Sequence, residues 1–203
     1  MNEELKLNKL FDTLDFRHKD LFEGINYPWE AIKGLNDYIA EKTGESKVKL
    51  GENSTVEEGA LINGPAIIGN NVVIRHGAYL RENVLIGDNV VIGHAVELKN
   101  CIIMNNTFVP HFNYVADSIL GQNVNMGAGS ITANWRFDKV NVLVKGIGGS
   151  VDSGLEKLGA FVGDGSNIGV NAVLNPGTVL GKGSVVYPLV SVTGYHPDNS
   201  VIK

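Results

Sequence analysis

Arg81, Glu97, Lys99, His111, Tyr114, Asn125 and Asn134 crowd into the middle of a 203-residue chain. Arginine pairs with an anion directionally, whereas lysine acts more as a point charge. Histidine changes its protonation near neutral pH, so it can take up or return a proton. Asparagine donates and accepts at fixed geometry. Beside them, the "GAGS" of "NVNMGAGSITANW" has the small residues that let a ligand approach the backbone closely. The same run would equally serve as tight corners. These residue types suit a small anionic ligand, provided the chain brings them together.

The elements that could do so follow from a period of six. Apolar residues recur at Leu50, Val56, Ile62, Ile68, Ile74, Leu80, Ile86, Ile92, Leu98, Met104 and Pro110, and again at Val162, Ile168, Leu174, Leu180, Val186 and Val192. A small or β-branched residue follows four places later in most cases, as at Ala60, Ala66, Ala78 and Val84. Gly51, Gly69, Gly87 and Gly93 stand directly after the aliphatic, where a turn at positive φ is expected. This hexapeptide repeat predicts a parallel β-helix: one short strand and a corner per repeat, with about 18 residues per coil and coils about 4.8 Å apart. A 3.6-residue helix cannot keep a six-residue period on one face.

Residues 1–47 lack the repeat. "YPWEAIKGLNDYIAEKTG" reads as a helix, with Pro28 in its first turn, Trp29, Ile32, Leu35 and Ile39 on one face, and Gly44 as its stop. This region is expected to cap one end of the coil stack, where edge strands would otherwise be open. Residues 48–203 form the β-helix domain, interrupted at about 135–157 by a loop expected to project from a binding face.

Coil arithmetic places Arg81 and Lys99 on one face in adjacent coils, since they are 18 apart. Two stacked cations repel unless an anion lies between them or both fan into water. His111 lies two hexapeptides beyond Lys99, in "FVPHFNYVADS", where the rhythm stumbles. The column resumes at Leu120, so the ten residues from Pro110 read as two steps of five, a local kink akin to a bulge.

Composition narrows the classes. A formal net charge of -5 argues against a general nucleic-acid binder. The lone Cys101 excludes an intrachain disulfide and a cysteine-based zinc site. The polar start "MNEELKLNKL" is not a signal peptide, and no apolar run approaches transmembrane length, so a cytoplasmic protein is expected.

The segment from Val72 to Val192 resembles the acetyltransferase domain of the bifunctional bacterial glucosamine-1-phosphate acetyltransferase/N-acetylglucosamine-1-phosphate uridyltransferases. The resemblance is carried by Arg81, by "ELK" with Glu97 and Lys99, by "HFNY" with His111 and Tyr114, by "NVNMGAGSITAN" with Asn125 and Asn134, and by Lys139. It implies a left-handed coil, an all-β fold with a short helical N-terminus, a homotrimer, and general-base transfer of an acetyl group from acetyl-CoA to an amino-sugar 1-phosphate. On this resemblance His111 is the base and Glu97 polarises it. Arg81, Lys99, Tyr114 and Lys139 bind the sugar phosphate, and Asn125 and Asn134 orient the sugar and its amine. Gly127 and Ala128 meet the thioester, with Asp164 and Pro188 farther along the coenzyme groove, where the family has small residues. No catalytic metal is implied. No nucleotidyltransferase domain precedes the repeat, so a separate nucleotidyltransferase is a candidate partner for making the nucleotide sugar. Membrane and nucleic-acid partners are not expected.

Two other classes use the same coil. A non-catalytic scaffold or sugar-phosphate binder would keep the anion site and lose acyl transfer. A γ-type carbonic anhydrase would hold a metal with histidines, and His76 and His94 do stack one coil apart. Its second histidine position is Lys99 here, and a cation repels a metal ion.

Overall fold

Inward aliphatics at every sixth residue demand three short strands per coil, and the computed structural model, which describes residues 2–203, has them. Among these residues the first face stacks eight parallel strands, from Val48–Leu50 to Tyr195–His196. The second face stacks eight, from Thr55–Val56 to Val201–Ile202, and the third stacks seven, from Leu61–Ile62 to Ser191–Val192. Ile68, Ile74, Leu80, Ile86, Ile92 and Leu98 fill the interior and are essentially inaccessible to water. Burying each side chain of this size contributes about 1.5–3 kcal/mol before chain entropy is counted.

The stumble lies elsewhere than the sequence suggests. Early coils pair at intervals of 18, as Ile68 does with Ile86. The next two are one residue shorter: Ile103 pairs with Ile86 and with Leu120, and Val109 pairs with Ile92. The interior residues are therefore Ile103, Val109 and Val115. Met104 faces outward beneath the N-terminal arm, and Pro110 lies in the second-face strand Phe108–His111 outside the interior column. The two steps of five run from Leu98 to Ile103 and from Val115 to Leu120, both where the third face turns into the first. Asn100 and Asp117 make those tightened corners in the left-handed region, with φ of 46° and 49°.

Gly51, Gly69, Gly87 and Gly93 are also not at positive φ. They are needed for close approach. A Cβ on Gly93 would overlap the Pro110 carbonyl of the next coil, directly beside His111. The left-handed residues come elsewhere in the corner, as with Asn53, Asn71, Asn89 and Asn106, whose side chains hydrogen-bond from coil to coil.

The helical region does not close the coil end. Helix α1 spans Leu7–Leu10 and α2 spans Pro28–Thr43. Glu30 accepts hydrogen bonds from the Asn26 and Tyr27 N–H groups at the start of α2, and Gly44 ends it at φ 58°. Trp29, Ile32, Leu35 and Ile39 pack against Ile67, Leu85, Ile102, Ile119, Phe161 and Val179, the outward residues of the first face. That face is apolar on both sides, so it must be covered along its length. At the open end, Leu50 and Val56 remain 49% and 40% exposed.

The 135–157 segment divides its work. Its neck is closed by an antiparallel bridge between Trp135 and Lys157 on the third-face side. Beyond it, the hairpin Leu143–Gly146 and Gly149–Asp152 folds back, burying Val142 and Val144 in the layer over the first face.

Substituting Gly93→Ala should force the Pro110–His111 strand away from its neighbour. A loss of about 1–3 kcal/mol in urea denaturation is expected, the usual cost of overpacking. Gly34→Ala on the exposed side of α2, where an added Cβ meets nothing and φ is not positive, serves as the comparison and should lose no stability.

Candidate active site

Third-face strands place one group of candidates. Glu97 lies between Tyr79 and Tyr114 in the ladder, and Lys99 lies opposite Ala116. Side chains of Arg81, Lys99, Tyr114, Asn134, Trp135 and Lys157 line a cleft of about 360 Å³. Its charges form an alternating chain. Glu97 Oε1 accepts a hydrogen bond from Arg81 Nη1 at 3.1 Å, and this bond holds the guanidinium more firmly in its charged form. Arg81 Nε is 3.6 Å from Glu82 Oε2, and Glu82 Oε1 is 3.8 Å from Lys99 Nζ. Lys99 Nζ is then 3.5 Å from Asp117 Oδ1.

Asp117 ends this chain as a buried hub, its side chain 4% exposed. It accepts hydrogen bonds from Asn100 Nδ2 at 2.8 Å and from Asn134 Nδ2. One N–H of the Asn134 amide is thus engaged, and its side-chain carbonyl oxygen has no hydrogen-bond partner among the described residues. Burial, and then the Asp117 and Glu97 charges, push the half-buried Tyr114 hydroxyl above the usual phenol range, so it remains a donor at neutral pH.

The second group stands at the corner between the second and third faces. His111 lies beside His94 in register, and His76 is one coil further back. With Glu57, Arg75, Phe108 and Pro110, the three histidines line a groove of about 510 Å³. His76 Nδ1 is 2.7 Å from the Glu58 carbonyl oxygen, and His94 Nδ1 is 2.8 Å from that of His76. Both nitrogens therefore donate, and the two rings stack nearly parallel, 5.8 Å apart. Among the described residues no three His, Cys, Asp or Glu side chains converge as metal ligands.

The His111 imidazole makes no hydrogen bond or ion pair among the described residues. Its backbone is nevertheless fixed. The His111 N–H donates to Asn113 Oδ1 at 3.0 Å, and the buried Asn113 Nδ2 donates to the Gly127 carbonyl at 2.8 Å. The His111 carbonyl accepts from Gly129 N–H at 2.9 Å. Next to His111, Phe112 takes φ 54°, a conformation filled by Gly77 and Gly129 at the same corner of other coils.

Several sequence expectations change here. Glu97 does not touch the imidazole; its carboxylate is drawn to Arg81, the nearer full charge on its own face. Asn125 lies on the second face between Phe108 and Asn167, so one chain does not bring it beside Asn134. Lys139 stands in the loop, 5.9 Å from the centroid of the Trp135 ring. Gly127 and Ala128 sit one coil from His111, and Pro188 lies two coils beyond them at the same corner, beneath Gly169. Asp164 is at a different corner, between the first and second faces. Its carboxylate accepts the N–H groups of Asp12 and Gln122 at 2.7 and 2.9 Å and lies 3.4 Å from Lys182 Nζ. Burial raises its pKa despite those partners. Asp164 ties the N-terminal arm to the coil.

Glu82, Asp117, Asn113 and Lys157 were missed. Asp117 follows Lys99 by 18 residues, the spacing that had paired Arg81 with Lys99. The burial of Asp117 and Asn113, and the return of Lys157 to the cleft, carried no sequence signal.

Comparison with known proteins points to hexapeptide-repeat acetyltransferases. The family described as the GMPPB C-terminal domain matches residues 62–148, and the hexapeptide repeat of succinyl-transferase matches residues 160–187. The bifunctional protein GlmU of Methanococcus maripaludis strain C7 is 48% identical over 174 residues, covering 80% of this chain and 42% of that protein. The chain resembles the hexapeptide-repeat acetyltransferases. The uncharacterized acetyltransferase YaiX of Escherichia coli K12 is 34% identical over 154 residues, 76% of this chain and 66% of that protein. This acetyltransferase-like chain spans less than half the length of the bifunctional relatives it matches. Among solved structures, perosamine N-acetyltransferase from Caulobacter crescentus (H141N, with CoA and GDP-perosamine) is 15% identical with a TM-score of 0.34, covering 81% of this chain and 60% of that one.

Asp117→Ala should leave Lys99, Asn100 and Asn134 without their shared acceptor. A stability loss of about 2–4 kcal/mol is expected in urea denaturation. Asp164→Ala should lower the melting temperature by releasing the arm, and calorimetric affinity for acetyl-CoA should stay within about twofold.

Proposed function

We propose that the chain is an acetyltransferase that moves the acetyl group of acetyl-CoA onto the amine of an amino-sugar 1-phosphate. One observation carries this reading: an unpartnered imidazole and a backbone N–H with no protein acceptor stand one coil apart at the corner between the second and third faces, and the third face carries the cation-lined cleft. The N–H is that of Ala128, which has no hydrogen-bond acceptor among the described residues. The comparisons support acetyl transfer as the class, and the sugar phosphate is inferred from the cleft.

In this mechanism the amine nitrogen attacks the thioester carbonyl carbon, and His111 accepts the proton that the amine loses. The Ala128 N–H donates to the oxyanion as it forms. When the C–S bond breaks, the imidazolium returns its proton to the departing sulfur, so the base is regenerated. Arg81, Lys99 and Lys157 supply positive charge for the phosphate, Arg81 with directional donors. Tyr114 donates a hydrogen bond, and Asn134 presents its carbonyl oxygen to the sugar. Coenzyme A is placed along the Gly127–Ala128 corner, where small residues leave the backbone accessible. Asn125 and Lys139 could join the site from an adjacent subunit of a homotrimer. Among the described residues, no helix is long and apolar enough to cross a membrane.

Thiol release from acetyl-CoA should require an amino-sugar phosphate, and His111→Ala should lower kcat/KM by about two to four orders of magnitude. Equal rates in mutant and wild type would remove His111 as the base. Retained sugar-phosphate binding with no acetyl-CoA binding in any variant would instead favour a non-catalytic binder.

A further inference from the structure

Arg81 and Lys99 already have an anion between them, and it belongs to the chain. Each cation has another partner. Arg81 donates to Glu97 at 3.1 Å, and Lys99 lies 3.5 Å from the buried Asp117, an ion pair without a hydrogen bond. Glu82 is shared and looser: its two oxygens lie 3.6 and 3.8 Å from the two cations, neither within hydrogen-bonding distance. Its side chain is 43% exposed, so water competes for both contacts. One oxygen toward each cation is also how a phosphate would bridge them.

We propose that Glu82 is a built-in competitor for the phosphate subsite, which a substrate phosphate displaces and which thereby sets the charge the ligand must carry. This rests on the phosphate-binding role assigned to the cleft above. The Glu82 backbone is fixed, because its carbonyl accepts the Asn100 N–H at 2.8 Å, so displacement needs only a side-chain rotation. Glu97 and Asp117 are poorly suited to leave, the first being hydrogen-bonded to Arg81 and the second buried among three partners.

Charge balance explains the consequence. Lys157 lines the cleft beside Arg81 and Lys99, and Glu82, Glu97 and Asp117 lie in ion-pair range of those two, so three cations stand with three carboxylates and the group is formally neutral. A singly charged anion arriving there gains no more than Glu82 already supplies. A phosphate monoester, with close to two charges at neutral pH and three acceptor oxygens, gains more. With Glu82 turned outward, the cleft carries one net positive charge toward it. Glu82 thus selects a phosphorylated acceptor over carboxylates and over unphosphorylated amino sugars.

The test is calorimetric titration of wild type, Glu82→Gln and Lys99→Ala with glucosamine 1-phosphate, glucosamine and inorganic phosphate. Glu82→Gln should bind glucosamine 1-phosphate about three- to tenfold more tightly than wild type, the scale of releasing two exposed ion pairs. Affinity for glucosamine should shift by less than about twofold. Lys99→Ala should weaken both phosphate ligands. Weaker or unchanged binding of glucosamine 1-phosphate by Glu82→Gln, or equal tightening of glucosamine, overturns the proposal. Tighter inorganic phosphate in Glu82→Gln, with no glucosamine 1-phosphate binding in any variant, upholds the competitor and rejects the sugar reading. No phosphate binding by any variant rejects both.

Discussion

Each coil of this protein hydrogen-bonds in parallel register to the coil before it, and that constraint decides where nearly every side chain can be. A residue's closest long-range neighbour is the one a coil away, about 4.8 Å off. Types that repeat down a column therefore reinforce one another, as the inward aliphatics and the corner asparagines do. Types that conflict must be reconciled where they stand. The sites where chemistry gathers are those where the columns do not repeat: Arg81 above Lys99, and His76, His94 and His111 along one corner.

Shortening two corners by one residue has effects out of proportion to its size. It brings Asp117 beneath Lys99 with its carboxylate buried, and it turns Asn134 and Asn100 toward the same oxygens. One buried carboxylate so placed orients a lysine and an asparagine at once, because each of its oxygens accepts from a different donor. At the opposite corner, Asn113 does the same for backbone: it accepts from the His111 N–H and donates to the Gly127 carbonyl, tying the strand that carries the imidazole to the turn that carries the Ala128 N–H. The imidazole itself makes no hydrogen bond among the described residues.

Much of this was legible in order along the chain. The six-residue period implied a parallel β-helix, coil arithmetic brought Arg81 and Lys99 onto one face, and the family resemblance added Tyr114 to them. The period also misled where it was followed too literally. Met104 continues the spacing yet packs outward against the N-terminal arm, because the preceding step holds five residues. The corner glycines were read as turn residues, whereas they avoid the backbone of the next coil. A hint about the helices was present: the first-face strands "AII", "VLI", "CII" and "AFV" have no polar middle residue, so that face needed a cover.

The sequence by itself determined the repeat, the column most residues join up to the first shortened corner, and the spacing that stacks Arg81 with Lys99. Those follow from period alone, since a parallel coil converts spacing into position. Only the tertiary structure decided which charges pair. Glu97 was free to polarise His111 or to hold Arg81, and it holds Arg81. Glu82 and Asp117 drew no attention as letters, yet they complete the charge balance of the cleft. Pairing depends on differences of a few tenths of an ångström and on burial, quantities that arise only when corners, rotamers and neighbouring coils are fixed together.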